Sequence, residues 1–129
     1  MRVDHLDHLV LTVADIDATC AFYRRVLGMD VVAFGNGKRV ALAFGRQKIN
    51  LHASGREFEP KADQPTPGSA DLCFITAAPL ADVVAHLNSE AVPIIEGPVR
   101  RTGATGPILS VYFRDPDRNL IEISNHLTA

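Results

Sequence analysis

Tryptophan is absent from this chain, and aromatic residues are few, with six Phe and two Tyr among 129 residues. Capture of a flat ligand by ring stacking is therefore not the expected mode of action. Cysteine is equally sparse. Cys20 and Cys73 sit inside apolar patterns with no CxxC spacing, so they read as reduced, buried thiols with no local thiolate clamp. Neither sign of charge dominates: 13 Lys and Arg face 15 Asp and Glu, for a formal net charge of -2. That removes the electrostatic case for a nucleic-acid partner or an anionic membrane. No apolar run approaches the ~20 residues of a membrane span, and Met1–His5 lacks the apolar region of a signal peptide. The expectation is a cytoplasmic protein.

What is present supports a packed core, since 47% of residues are hydrophobic and 22% charged. The length suits one domain, or two small repeated modules. A weak internal duplication favours repetition. His8 opens the apolar run Leu9–Val13, and 63 residues later Asp71 opens a matching run, Leu72–Thr76. The first half closes on Asn50-Leu51-His52 and the second on Leu120-Ile121-Glu122. On this reading His8 pairs with Asp71, and His52 with Glu122.

The pattern predicts a strand over 6–13. A helix follows to Leu27, with N-cap candidates at Asp15-Ile16-Asp17, an apolar stripe of Ala18, Phe22 and Val26, and Gly28 as C-cap. Strands are expected over 29–34, 40–45 and 48–53, the first two joined by the turn 35–38. The segment 55–69 holds three prolines and no period, and reads as a linker long enough to lie over a site or across a partner. The second half repeats the order: a strand over 70–76, a helix from Pro79 to about Ser89, an edge strand over 92–96 interrupted by Pro93, a Gly/Thr loop over 100–106, and strands over 108–114 and 119–125 around the turn 115–118. The expected fold is α+β, two βαβββ modules (about 4–54 and 70–126) in a single domain spanning 1–129, with curved mixed sheets around a pocket.

Side chains alternate across a strand, so Leu120, Glu122 and Ser124 share one face. A carboxylate in a core-like strand needs a partner, because burying it unpaired is expensive. The same holds for His52 between Leu51 and Ala53, and for Asp71 at the head of an apolar strand. A divalent ion would satisfy these groups together. Taken singly they have plainer readings: a satisfied core histidine at His8, an ion pair of Glu122 with Arg101 or Arg114, a strand cap at Asp71. Their symmetric placement favours the metal. His5, His86 and His126 read as solvated.

Three stretches carry a family resemblance: His8-Leu-Val-Leu-Thr-Val-Ala-Asp15, Phe22-Tyr-Arg-Arg-Val-Leu-Gly-Met29, and Tyr112-Phe-Arg-Asp-Pro-Asp-Arg-Asn-Leu-Ile-Glu-Ile123. The chain resembles the vicinal oxygen chelate superfamily, which includes glyoxalase I, fosfomycin-resistance enzymes, extradiol dioxygenases and bleomycin-resistance proteins. Residues 44–61 with Pro65–Phe74 resemble the small subgroup called glyoxalase domain-containing protein five and virulence-associated lactoylglutathione-lyase-like proteins. The resemblance implies metal ligands on the first and last strands of each module: His8, His52, Asp71 and Glu122. Asp71 is a departure, because glyoxalase I-like members commonly carry histidine there; without it, His8, His52 and Glu122 would form a 2-His-1-carboxylate set.

What the resemblance implies for function is a divalent-metal-dependent (Zn, Ni, Mn or Fe) lyase or isomerase of glyoxalase type acting on a small oxygen-chelating substrate. Glu122 would be the base that moves a proton between adjacent carbons. A fosfomycin-type epoxide-opening enzyme is the second reading, with Arg101, Lys48, Arg100 or Thr102 facing an anionic group. The loop 101–106 would offer it backbone N–H groups. A bleomycin-resistance-like sequestering protein is the third. Open sheet edges and family behaviour imply a homodimer.

Overall fold

A parallel strand pair cannot be closed by a tight turn; it needs a crossover of a dozen or more residues, usually a helix. This chain makes that connection twice. The structure, a computed structural model, describes residues 1–127. It divides into two compact units, Met1–Gly68 and one beginning at Ser69. In the first unit β1 (His8–Val13) leads through α1 (Ile16–Leu27) into β2 (Asp30–Phe34), β3 (Arg39–Phe44) and β4 (Gln47–Ala53). The sheet order is β1-β4-β3-β2, with β1 parallel to β4 and the other pairs antiparallel. The second unit repeats this with β5 (Asp71–Ile75), α2 (Leu80–Ser89), β6 (Glu96–Thr102), β7 (Pro107–Arg114) and β8 (Leu120–His126), in the order β5-β8-β7-β6. The fold is α+β: two four-stranded mixed sheets and two helices, with no closed barrel. No helix among the described residues is long and apolar enough to cross a membrane.

Local chemistry explains the helix limits. Asp15 is extended (φ -142°, ψ 109°) and its side chain accepts the Ala18 N–H, a standard N-cap bond. Gly28 ends α1 in the left-handed region (φ 65°), its N–H bonding the Arg24 carbonyl. The buried stripe of α1 is Thr19, Tyr23 and Val26, one residue on from the expected Ala18 and Phe22. Tyr23 is fully buried, whereas Ala18 and Ala21 are exposed. Stacking a ring of that size into the core outweighs the weaker preference of alanine. Helix α1 packs against β2 and β4, and the buried strand face carries Leu11, Val13, Ile49 and Leu51. The second unit buries Leu80, Leu87, Val111, Phe113, Ile121 and Ile123 in the same manner.

The largest difference from expectation is β6. It runs Glu96–Thr102, where the Val92–Glu96 strand and the Arg100–Gly106 loop were expected. Residues 92–95 form no strand, so Pro93 lies outside it; β6 is nevertheless an edge strand, in which the bulge between Glu96 and Val99 absorbs Gly97 and Pro98 and pairing with β7 resumes beyond them. Gly97 (φ +103°) is required there, because a Cβ would run into the Ser110 carbonyl oxygen and lie 2.9 Å from Val111 Cα. His126 is the last residue of β8, not part of a tail. Cys73 is exposed rather than buried, because it alternates onto the face of β5 opposite Leu72 and Phe74.

The β7–β8 turn is built by two buried polar residues. Asp115 Oδ1 accepts the N–H groups of Asp117 (3.0 Å) and Asn119 (2.9 Å), and Asp115 Oδ2 accepts from Asn119 Nδ2 at 2.9 Å. Asn119 Oδ1 in turn accepts the Ala70 N–H at 2.9 Å, so one side chain joins the turn to the entry of β5. Asn119→Ala leaves these buried groups unsatisfied and is expected to lower stability by roughly 1–3 kcal/mol in urea unfolding; an unchanged midpoint would show that this turn does not anchor β5.

Candidate functional site

Register decides which polar side chains stand together. In the first unit His8 pairs with Lys48, Val10 with Asn50 and Thr12 with His52. In the second Asp71 pairs with Leu120, Cys73 with Glu122 and Ile75 with Ser124. Asp71 and Glu122 are therefore diagonal neighbours on one sheet face, one residue pair of that face apart. The equivalent diagonal in the first unit joins His8 to Asn50, not to His52. The counterpart of His52 is Ser124. The expected pairing of His52 with Glu122 is thus displaced by two residues. His8 and His52 lie four residues apart along paired strands, roughly 13 Å, whereas each diagonal pair is roughly 8 Å apart at the backbone. Among the described residues no three or more His, Cys, Asp and Glu side chains come together as a metal-holding group.

Asn50 went unnoticed in the sequence because an amide is a less conspicuous ligand than imidazole. It is 5% exposed, and its Oδ1 is a buried acceptor with no hydrogen-bond partner. An orphaned buried acceptor is costly, and a cation would satisfy it. No local sequence signal marked Asn50, because Asn50 and His52 lie on the same face of β4 and only the register against β1 separates them. His8 has its ring fixed by a neighbour, Nδ1 lying 2.8 Å from Asp7 Oδ2. In the neutral imidazole Nδ1 then carries the proton and Nε2 presents its lone pair, the arrangement common for metal-binding histidines. The His8 hydrogen bond holds the Asp7 carboxyl below its ordinary value.

Glu122 is half-buried and held by hydroxyls, not by Arg101 or Arg114. Ser110 Oγ donates to Glu122 Oε2 at 2.5 Å, and Ser124 Oγ lies 2.6 Å from Ser110 Oγ. Ser110 has a single proton, so Ser124 is the donor to Ser110. Cys73 Sγ, 3.4 Å from Ser124 Oγ, extends the chain. Burial pushes the Cys73 thiol above its ordinary value despite the Ser124 bond, and Glu122 adds to the rise. Tyr112 stands directly opposite Glu122 on β7. Burial raises its phenol, Arg101 opposes this, and Glu122 reinforces it.

Arg101, expected to face a substrate anion, spends its donors within the protein: Nε on Tyr112 Oη (3.0 Å), Nη2 on Glu96 (3.2 Å) and Nη1 on the Arg100 carbonyl (3.1 Å). Arg101 and Thr102 belong to β6, where successive side chains point to opposite faces, so the two do not converge. The 101–106 stretch is also not an open cradle of N–H groups: Thr102 and Arg101 are in the ladder, and Gly103 N–H bonds the Gly106 carbonyl at 2.8 Å.

His52 has a different setting. It is 3% exposed, and its Nε2 lies 3.1 Å from Arg39 Nη2. A guanidinium only donates, so Nε2 is the acceptor and the proton sits on Nδ1. The Phe58 ring packs edge-on at 5.6 Å, which brings the 54–70 segment onto this face. Burial, then Arg39, hold the imidazole below its ordinary value, with Glu57 opposing.

The chain is thus a small domain of duplicated βαβββ architecture with one diagonal polar pair per unit. The chain matches the profile described as Glyoxalase/Bleomycin resistance protein/Dioxygenase superfamily over residues 5–123. It is 59% identical over 127 residues to virulence protein STM3117 of Salmonella typhimurium, covering 98% of this chain and 88% of that protein. The crystal structure of that relative superimposes with a TM-score of 0.96 at 60% identity, covering 98% of this chain and 100% of the other. Glyoxalase domain-containing protein RDO1 of Mycosarcoma maydis is 57% identical over 129 residues, 100% of this chain and 72% of that protein. The crystal structure of lactoylglutathione lyase from Agrobacterium tumefaciens matches with a TM-score of 0.73 at 26% identity, covering 97% and 96% of the two chains. The chain belongs to the glyoxalase/bleomycin resistance/dioxygenase superfamily, whose members commonly use divalent metals, bind small molecules and form dimers.

A histidine depressed in the folded state binds its proton more weakly than in the unfolded chain, so protonation favours unfolding. The contribution of neutral His52 is complete above its ordinary value of 6.5 and is lost as pH falls through the depressed value. Long-range ¹H–¹⁵N spectra should show the Nδ1–H tautomer titrating below 6.5, and Arg39→Gln should raise the midpoint part of the way. A wild-type midpoint at or above 6.5 would contradict this setting.

Proposed function

We propose that the protein is a divalent-metal-dependent lyase or isomerase of glyoxalase type, acting on a small substrate that chelates through adjacent oxygens. The observation that carries this reading is the repeated diagonal: His8 with Asn50 in one unit, Asp71 with Glu122 in the other. The buried Asn50 Oδ1 is without a partner. The donor chemistry fits a metal. One imidazole, one amide oxygen and two carboxylates make an oxygen-rich set with two negative charges, suited to a hard or borderline cation such as Mn or Fe(II) more than to a thiolate-type zinc site. His8 with Asn50, and Asp71 with Glu122, are the residues that would hold a metal. Bound there, the metal supplies Lewis-acid polarisation of a substrate carbonyl.

The remaining work falls to the chain itself. Asp7 fixes the His8 ring so that Nε2 faces outward. Ser110 and Ser124 hold Glu122 Oε2 and orient the carboxylate. Glu122 is the group placed to take a proton from one substrate carbon and return it to the next, as general base and then acid. Tyr112, opposite it with a phenol raised by burial, stays protonated at neutral pH and can donate. The name of the Agrobacterium relative, a lactoylglutathione lyase, supports the reaction class. A small-molecule ligand and a homodimer accord with the common habits of the superfamily, and a cytoplasmic location remains the expectation from the sequence.

The test is metal content by mass spectrometry, with hemithioacetal isomerisation and epoxide opening assayed under Mn, Ni, Zn and Fe(II). Stoichiometric metal is expected, weakened about 10-fold or more by His8→Ala, Asn50→Ala or Glu122→Ala, and retained in His52→Ala. Loss in His52→Ala with retention in Asn50→Ala would instead restore the ligand set expected from the sequence. Recovery of metal binding on mixing His8→Ala with Glu122→Ala chains would show that the pairs come from different copies. Absence of turnover with every metal on both substrates would remove the two reactions and leave a sequestering protein.

A further inference from the structure

Beside Asn50 on the same face of the first unit stands a cluster that the metal does not use. The Arg39 guanidinium carbon lies 5.1 Å from the Phe34 ring centroid and 4.7 Å from that of Phe58, so the group is packed by two rings. Lys48 Nζ lies 3.9 Å from the same Phe34 centroid. Two cations thus share one ring. Neither Arg39 nor Lys48 takes part in the ion pairs Asp7–His8, Glu59–Lys61 and Glu96–Arg101, although Lys48 is near enough to the Asp7 carboxylate to help lower it. Arg39 makes a single hydrogen bond, to His52, and its Nε is a buried donor with no acceptor. The nearby Glu57 carboxylate is occupied with the Gly55 N–H at 2.9 Å.

This arrangement is unfavourable as it stands. Like charges repel, and a guanidinium removed from water needs a counter-charge or acceptors that ring faces supply only in part. The His52 bond does not help the balance, since a neutral imidazole accepts but carries no charge. What completes the cluster is an oxyanion. It would pair with the Arg39 guanidinium, take the positive field of Lys48, and lay an apolar body along Phe34 and the exposed edge of Phe58. Arg39, Lys48 and Phe58 all retain exposed surface, so a ligand can enter.

We propose that Arg39 and Lys48, walled by Phe34 and Phe58, form a subsite for the carboxylate or phosphonate of a small organic substrate. The assignment rests on reading this sheet face as the substrate face and adds to it that the substrate is an anion. His52 is then a positioning residue: it holds Arg39 Nη2 and so fixes the guanidinium. The sequence contained no sign of Arg39, because it sits beside a Gly-Asn-Gly turn and reads as surface charge.

The test uses benzoate, phenylphosphonate and neutral benzamide as probes on the full chain at low ionic strength, by calorimetry and by the Arg Nε–H signals in ¹H–¹⁵N spectra, with and without Mn. Saturable binding of at least one of the two anions is expected, with a shift of the Arg39 Nε–H signal and no binding of benzamide. Which anion binds more tightly identifies the head group. Arg39→Gln should weaken binding about 10- to 100-fold, and Lys48→Gln should weaken it less, while both variants keep the metal affinity of the wild type. Should Arg39→Gln fail to fold, Lys48→Gln and the wild-type Nε–H shift decide the matter. Equal binding of benzamide, or anion binding indifferent to both substitutions, would overturn the subsite while leaving the metal reading intact. Anion binding in a protein that takes up no metal would uphold the subsite and overturn the metal reading.

Discussion

The parallel pairing of the first and last strands in each unit is the constraint on which the rest depends. β1 lies on β4, and β5 on β8, each pair closed by a helical crossover. The crossover helix covers one face of its sheet, so the alternation of side chains sends the apolar set beneath it and leaves the polar set on the other. A slip of one residue would reverse both assignments. The diagonal two residues along the neighbouring strand places His8 near Asn50 in one unit and Asp71 near Glu122 in the other.

On this common frame the two units handle buried polarity in opposite ways. In the second unit a half-buried carboxylate is served by the hydroxyls of Ser110 and Ser124, while Arg101 is engaged by Glu96 and the Tyr112 phenol. In the first unit Asn50 Oδ1, Arg39 Nε and, on α1, Thr19 Oγ1 are buried without a hydrogen-bond partner. Native folds leave few such atoms, because each carries a desolvation cost of a kcal/mol or more. The two modules have diverged in what they carry: one holds Asp71 and Glu122, the other Arg39 and Lys48.

Much of the architecture was legible from local chemistry. Capping at Asp15 and Gly28, the Gly-Asn-Gly turn and the Asp115–Arg118 turn depend on neighbours in sequence, and so did the duplicated order of elements. The misplaced features depend on partners far along the chain. The buried stripe of α1 was read one residue early because periodicity alone cannot tell Phe22 from Tyr23. Strand β6 was read early because the Gly97–Pro98 bulge hides its pairing with β7. Cys73 was read as buried because its strand is apolar, whereas its own side chain alternates onto the open face.

The sequence by itself determined the class: a duplicated α+β domain of the glyoxalase superfamily with imidazole and carboxylate at the strand ends. Tertiary structure alone decided which of those groups stand together. His52 and Asn50 are two residues apart and face the same way, so no local pattern separates them. The choice is made by the register against β1, which brings Asn50 to the diagonal of His8 and carries His52 onward to Arg39 and Phe58. Register is a property of hydrogen-bonded pairing between strands some forty residues apart, and it becomes visible only when both strands are in place.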